Sequence, residues 1–350
     1  MTPSLERLRA AVQANCDVSD ARHARGMTMC TYLLEMRELY RWERRAPLAS
    51  TLPRAAVGAW IAQREAHWEA LEDADYAPLP LGGGPVDPWD TDTVNRALAP
   101  HGLVYGAGIG RFGKPQFFLG VLEREERRDG MRVLVAGCEL ARDLAPAPAA
   151  MRGDTVAIRL ESLARVLWER AEARAQTRPD GPLKAALDAY GFDAADAAAL
   201  ARIAEAEAET LILHELGERA AGRALGPGWE AMLAGLGSRR AEIFARAARD
   251  HLADCLVTLP ALLDRGAPGP VHFWFAGLDG MRRAIFPRVV DAYAAWRGGD
   301  RGRALRAAIA AGTSHWHDAC SRALAPFERD GGDASDAIEA LAEDPASRLA

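Results

Sequence analysis

Apolar positions recur at helical spacing through the first 73 residues: Leu5, Leu8 and Val12, then Met29, Leu33, Met36 and Tyr40. Pro47 and Pro53 interrupt the pattern, so three helices are expected between Ser4 and Asp73. The stretch from Pro78 to Asp90, with Gly82, Gly83, Gly84 and several prolines, cannot hold a helix and reads as a linker at a domain boundary. A short helix near Thr91 to Leu98 follows. The texture then changes to β-rich segments at Leu103 to Ile109, Gln116 to Glu123 and Met131 to Gly137, with Val156 to Leu160 as a further strand. Asp129-Gly130 between the second and third segments is a hairpin signal, because both residues tolerate positive φ.

Beyond Glu161 helical periodicity returns, punctuated by Gly191, Gly226-Pro227-Gly228, Gly237, Gly266 to Pro270 and Gly298-Gly299. The tail from Arg329 is polar and acidic and is expected to fray, apart from one short helical stretch. The expected fold is therefore α+β and predominantly helical, a C-terminal helical bundle with a small antiparallel sheet inserted between it and the N-terminal helices. Four regions follow: 1–77 helical, 78–160 linker and sheet, 161–328 bundle, 329–350 tail.

At 350 residues the chain exceeds one ordinary core. With 49% hydrophobic and 26% charged residues it is a folding composition rather than a disordered one. A net charge of -6 supplies no broad positive field, so nucleic acid is not an expected partner. The five cysteines, Cys16, Cys30, Cys138, Cys255 and Cys320, are odd in number and form no C-x-x-C pair, which suits reduced thiols. No run approaches the roughly 18 apolar residues needed to cross a bilayer, and the first ten residues lack a secretory apolar core. A cytoplasmic protein with no membrane partner is the expectation.

Candidate chemistry concentrates in the bundle. Asp193 and Asp196 suit the start of a helix running to about Leu225. On it Leu200, Ile203, Glu207, Leu211, His214, Glu218, Ala221 and Leu225 form one stripe. His214 and Glu218, four residues apart, have side chains on the same face. On a second helix from about Ser238 to Leu263, Ile243, Ala247, Asp250, Asp254 and Val257 share a stripe, with His251 about 100° around beside Phe244 and Cys255. Buried carboxylates are costly unless paired or metal-bound, so a shared divalent ion held by His214, Glu218, Asp250, His251 and Asp254 is the economical reading. The donor set suits zinc, iron or manganese. A satisfied network with Arg219, Arg239, Arg246 or Arg249 is the alternative.

The segment Leu211-Ile-Leu-His-Glu-Leu-Gly-Glu218 resembles the H-E-x-x-H helix of zinc metallopeptidases, with Glu218 in place of the second histidine. The resemblance implies His214 as ligand and Glu215 as general base. Cys30-Thr-Tyr-Leu-Leu-Glu-Met-Arg37, His214 to Glu218 and His272-Phe-Trp-Phe275 together resemble a full-length uncharacterised proteobacterial family. That likeness implies a bacterial source and no particular reaction.

The expected function is a metal-dependent, hydrolytic enzyme acting on a small molecule or peptide. A dimetal iron or manganese carboxylate oxidoreductase is the rival enzyme reading, although two Glu-x-x-His pairs are missing. The non-enzymatic rival is an interaction protein that presents an edge of the small sheet over a buried charge network. Gly108-Ile-Gly-Arg-Phe-Gly113 satisfies G-x-G-x-x-G but is followed by a strand rather than a helix, so it reads as a turn. His315 and His317 point apart on any helix and stay outside the cluster.

Overall fold

A computed structural model describes residues 3–110, 113–177, 180–192 and 197–350. The chain divides into two units, the first comprising 1–172 and 193–208, the second 173–192 and 209–350. The division falls inside helices α5 (Leu160–Thr177) and α7 (Ala197–Leu225) rather than at the glycine-rich stretch near residue 82.

Three helices, α1 (Pro3–His23), α2 (Met29–Glu43) and α3 (Arg54–Glu69), open the first unit as the periodicity predicts. Thr28 caps α2 by accepting from the Thr31 N–H. The expected linker is instead a two-stranded ladder, β1 (Leu79–Leu81) with β2 (Gly84–Val86). Leu79 is fully buried against α1, so this stretch belongs to the core and marks no boundary. After α4 (Thr91–Leu98), capped by Asp90, come β3 (Leu103–Ile109), β4 (Pro115–Arg128), β5 (Met131–Arg142), β6 (Ala149–Arg152) and β7 (Thr155–Arg159).

These five strands form one sheet in the order β3-β4-β5-β7-β6. It is mixed, because β5 and β7 run parallel while the other pairs are antiparallel. Asp129 (φ 49°) and Gly130 (φ 80°) make the tight β4–β5 turn. Register shifts between Leu119 and Arg124 bend that hairpin. The sheet curls so far that Arg152 on β6 donates to the Ala107 carbonyl on β3 at 2.7 Å. Asn95 of α4 pairs with both the N–H and C=O of Tyr105, each at 2.8 Å. The middle of the β3 edge is thus clasped by side chains, which leaves it a poor template for an added strand.

One face of the sheet packs on α1 through Leu8, Val12, Cys16, Phe117, Leu119 and Ala141. Nearby lies a charged core that the hydropathy pattern does not reveal. Asp20, Asp143 and Glu139 are fully buried with Lys114, Arg142 and Arg159. Lys114 Nζ donates to Asp20 at 2.6 Å and lies 3.7 Å from Asp143, while Arg159 grips Glu139 at 2.8 and 3.1 Å.

The second unit contains α6 (Pro182–Ala189), the latter part of α7, α8 (Gly228–Gly235), α9 (Arg239–Ala253), a π turn over Asp254–Thr258, α10 (Leu259–Arg265), α11 (Pro268–Ala276), α12 (Gly280–Ile285), α13 (Pro287–Arg297), α14 (Arg303–Asp330) and α15 (Ser335–Glu343). Trp229, Phe244, Phe286 and Trp316 fill its centre. The acidic tail does not fray. Ile338 of α15 is fully buried, Ala334 and Ala342 are buried with it, and Leu349 exchanges backbone bonds with Ile285 and Arg288. Among the described residues no helix is long and apolar enough to cross a membrane.

Candidate functional site

Helices α7 and α9 approach unusually closely at Gly217. A Cβ there would lie 2.6 Å from the Ala253 carbonyl oxygen, a spacing side chains do not tolerate, so only glycine permits the contact. His214, one turn before Gly217, thereby reaches Asp254, the residue after Ala253. Asp254 heads the π turn, in which the Leu259 N–H bonds to the Asp254 carbonyl five residues back. Pro260 lacks the N–H that would continue the ordinary ladder to Leu256, which accounts for the interruption of a helix expected to run unbroken to Leu263.

The fully buried Asp254 carboxylate is held from both sides. His214 Nδ1 meets its Oδ1 at 2.9 Å, and the Arg282 guanidinium donates to its Oδ2. With Nδ1 so occupied, His214 Nε2 faces Glu218 Oε1 at 3.4 Å. Ligand atoms of His214, Glu218 and Asp250 all lie within 4.8 Å of one another, the only such group of three or more found among the described residues. Arg249 Nη2 donates to Glu218 at 2.8 Å and to Asp250 at 3.2 Å, so a guanidinium bridges the two carboxylates.

The electrostatics follow from this packing. Burial opposes a charged His214, but the Asp254 carboxylate and the bond to Glu218 outweigh it and hold the imidazole well above the ordinary histidine range. Burial likewise opposes an ionised Asp254, yet His214 and Arg282 keep it well below the carboxylate range. Glu218 is lowered against its own burial by His214 and Arg249. At Glu215 the pull of His214 and Arg249 is outweighed. Burial, reinforced by Glu218, pushes its carboxyl up to about 7. Both ring nitrogens of His214 thus face carboxylates, and a metal at Nε2 would take the place of any proton there.

The structure thus brings together His214, Glu218 and Asp250, with Asp254 behind the imidazole rather than beside the other ligand atoms. Glu215 lies next to them on α7, within the field of Glu218, His214 and Arg249. His251 is elsewhere. It is fully buried, stacked on Trp316 with centroids 4.9 Å apart, and its Nε2 donates to the Arg282 carbonyl at 2.8 Å. Burial, aided by the charge of Arg282, drives it down to about 3, so it is neutral. Its departure has a packing cause: α9 is rotated so that Phe244, Ala248, His251 and Cys255 face the core, while Ile243 is exposed.

Glu207 is buried and belongs to the first unit. Asp193 and Asp196 lie outside the described residues, as do Arg111 and Phe112 of the glycine-rich turn. His315 and His317 sit on α14 with separate surroundings, His315 edge-on to Trp316 and His317 half-exposed beside Asp318. Arg246 pairs with Glu242 at 2.8 Å, and Arg249 enters the cluster. Sequence reasoning missed Arg282 and Gly217. Gly217 had a signal, a glycine inside a strongly helical motif; Arg282, 28 residues beyond its partner, had none.

The chain belongs to the DUF6866 family, a family of unknown function: residues 7–159 match its N-terminal domain and residues 164–345 its C-terminal domain. No curated protein and no solved structure matches the chain.

Proposed function

We propose that the second unit is a metal-dependent enzyme whose divalent ion is held by His214, Glu218 and Asp250. The observation that supports this reading is the His214–Asp254 contact of 2.9 Å, with Asp254 in turn anchored by Arg282. An imidazole whose Nδ1–H is fixed on a buried carboxylate presents a pre-aimed Nε2, as in carboxylate–histidine–metal triads. Nε2 here looks toward two carboxylates rather than into the apolar core. One imidazole and two oxygen donors suit zinc, iron or manganese and leave coordination positions for water and substrate. Such an ion would supply Lewis-acid activation for hydrolysis of a small molecule or peptide. Asp254 orients the imidazole, and Glu215, next to the ligand on α7, is the proton acceptor. The test is elemental analysis of protein prepared without a histidine tag. About one zinc, iron or manganese per chain in the native protein, lost in His214→Ala, is expected; metal-free protein in both preparations refutes the proposal.

Arg249 favours a second reading. Its guanidinium already bridges Glu218 and Asp250, so the same residues form a charge-balanced network in which no ion is needed. Added zinc or manganese would then leave the melting temperature of the metal-free protein unchanged, whereas a bound ion raises it.

A further inference from the structure

We infer that Arg249 is the resident counter-ion of this site and that a divalent cation taken up by His214, Glu218 and Asp250 displaces its guanidinium; the inference rests on the metal reading above. Two facts carry it. The Glu218 Oε1 that faces His214 Nε2 at 3.4 Å is the same oxygen that accepts from Arg249 at 2.8 Å. The Asp250 Oδ1 beside it accepts from the same Arg249 nitrogen at 3.2 Å. A dication among these oxygens would sit a few ångströms from a permanent positive charge, a strongly repulsive arrangement inside a partly buried site.

The guanidinium also has somewhere to go. Its Nη1 is 3.6 Å from Glu230, whose side chain is 74% exposed, and among the described residues its Nε makes no hydrogen bond that would pin the stem. Moving outward exchanges the Glu218 and Asp250 contacts for Glu230 at the rim. Arg249 therefore keeps the metal-free site neutral and folded while making metal uptake a competition, which sets the free-metal level at which the site fills. It is a positioning residue, acting through the ligand carboxylates.

The experiment compares zinc and manganese affinities of wild type, Arg249→Met, Arg249→Lys and His214→Ala by competition with a chromophoric chelator. Arg249→Met is expected to bind about tenfold more tightly or better, while its metal-free melting temperature falls. A residue that merely held the site together would move both in the same direction. Arg249→Lys, whose ammonium cannot fork between two carboxylates, tightens binding by less and reports the effect should the methionine variant fold poorly. Wild type that binds while both variants bind equally or more weakly overturns the displacement and leaves the metal reading standing. No binding by wild type or either variant overturns both.

Discussion

Replacing Lys114 by methionine tests how the first unit tolerates its charged core. Lys114 Nζ is 2.6 Å from Asp20 Oδ1 and 3.7 Å from Asp143 Oδ2, and both acids are fully buried. Without it, among the described residues, Asp20 keeps the Leu144 N–H and Asp143 the Arg159 guanidinium at 3.7 Å. Removing one partner of a buried ion pair costs about 3 to 5 kcal/mol, a large share of a typical folding free energy. The loss should depend on pH. Burial already pushes Asp20 up to about 7 against the pull of Lys114, from an ordinary value of 3.8. A raised acid stabilises the fold below its unfolded pKa and loses that contribution as pH rises through its folded pKa. In the wild type this decline ends near pH 7. In Lys114→Met the folded pKa is higher still, so the decline continues above pH 7 at up to about 1.4 kcal/mol per unit. Urea denaturation from pH 6 to 9 should therefore show a gap between the two proteins that widens above neutrality. A gap under about 1 kcal/mol, or one constant across this range, would refute the reasoning.

Gly217→Ala brings a Cβ to 2.6 Å from the Ala253 carbonyl, so the helices must part by roughly 0.8 Å to reach ordinary contact at 3.4 Å. Overpacking of this kind costs about 1 to 3 kcal/mol, offset by about 1 kcal/mol from helix propensity; a lower melting temperature and loss of the hydrogen-bonded His214 Nδ1 proton resonance are expected, and an unshifted resonance would contradict the role given to Gly217. Of the five thiols, Cys30 and Cys138 are exposed, whereas Cys16, Cys255 and Cys320 are buried, with burial pushing Cys320 up to about 12. Two thiols per chain should react promptly with a disulfide reagent in the native protein and five after unfolding.

What the amino-acid pattern made legible was local. Apolar spacing located α1 and α2, and the proline breaks implied α3; the run Leu103 to Ile109 is β3 itself; Asp129-Gly130 marks the β4–β5 turn; Ser238 caps α9, accepting from the Ala241 N–H. What stayed hidden was long-range. β5 pairs in parallel with β7, a register decided by the curl of the sheet and not by either strand alone. Counting by three and four placed Asp250 and Asp254 on one face and His251 to the side. It had no means to weigh Phe244 against Ile243 as the residue that turns inward, nor to foresee the π turn at Asp254. The same limit hid Glu139, Arg142 and Asp143, which end β5 in a stretch that reads as a polar strand terminus and lies wholly inside the first unit.

Two charge clusters of similar make-up thus occupy the chain, and accessibility separates their roles better than composition does. Around Lys114 every acid is buried out of reach of solvent, so an incoming ion would have to unfold the core to enter; those charges serve packing. Around His214 the side chains of His214, Glu218 and Asp250 retain 25%, 18% and 20% of their exposure, while Asp254 retains none. Under the proposed function, partly exposed ligand atoms above a buried supporting carboxylate are the ordering that metal uptake requires. The proposed reading rests on that ordering: His214 is fixed on the buried Asp254 through Nδ1, while its Nε2 faces the partly exposed Glu218.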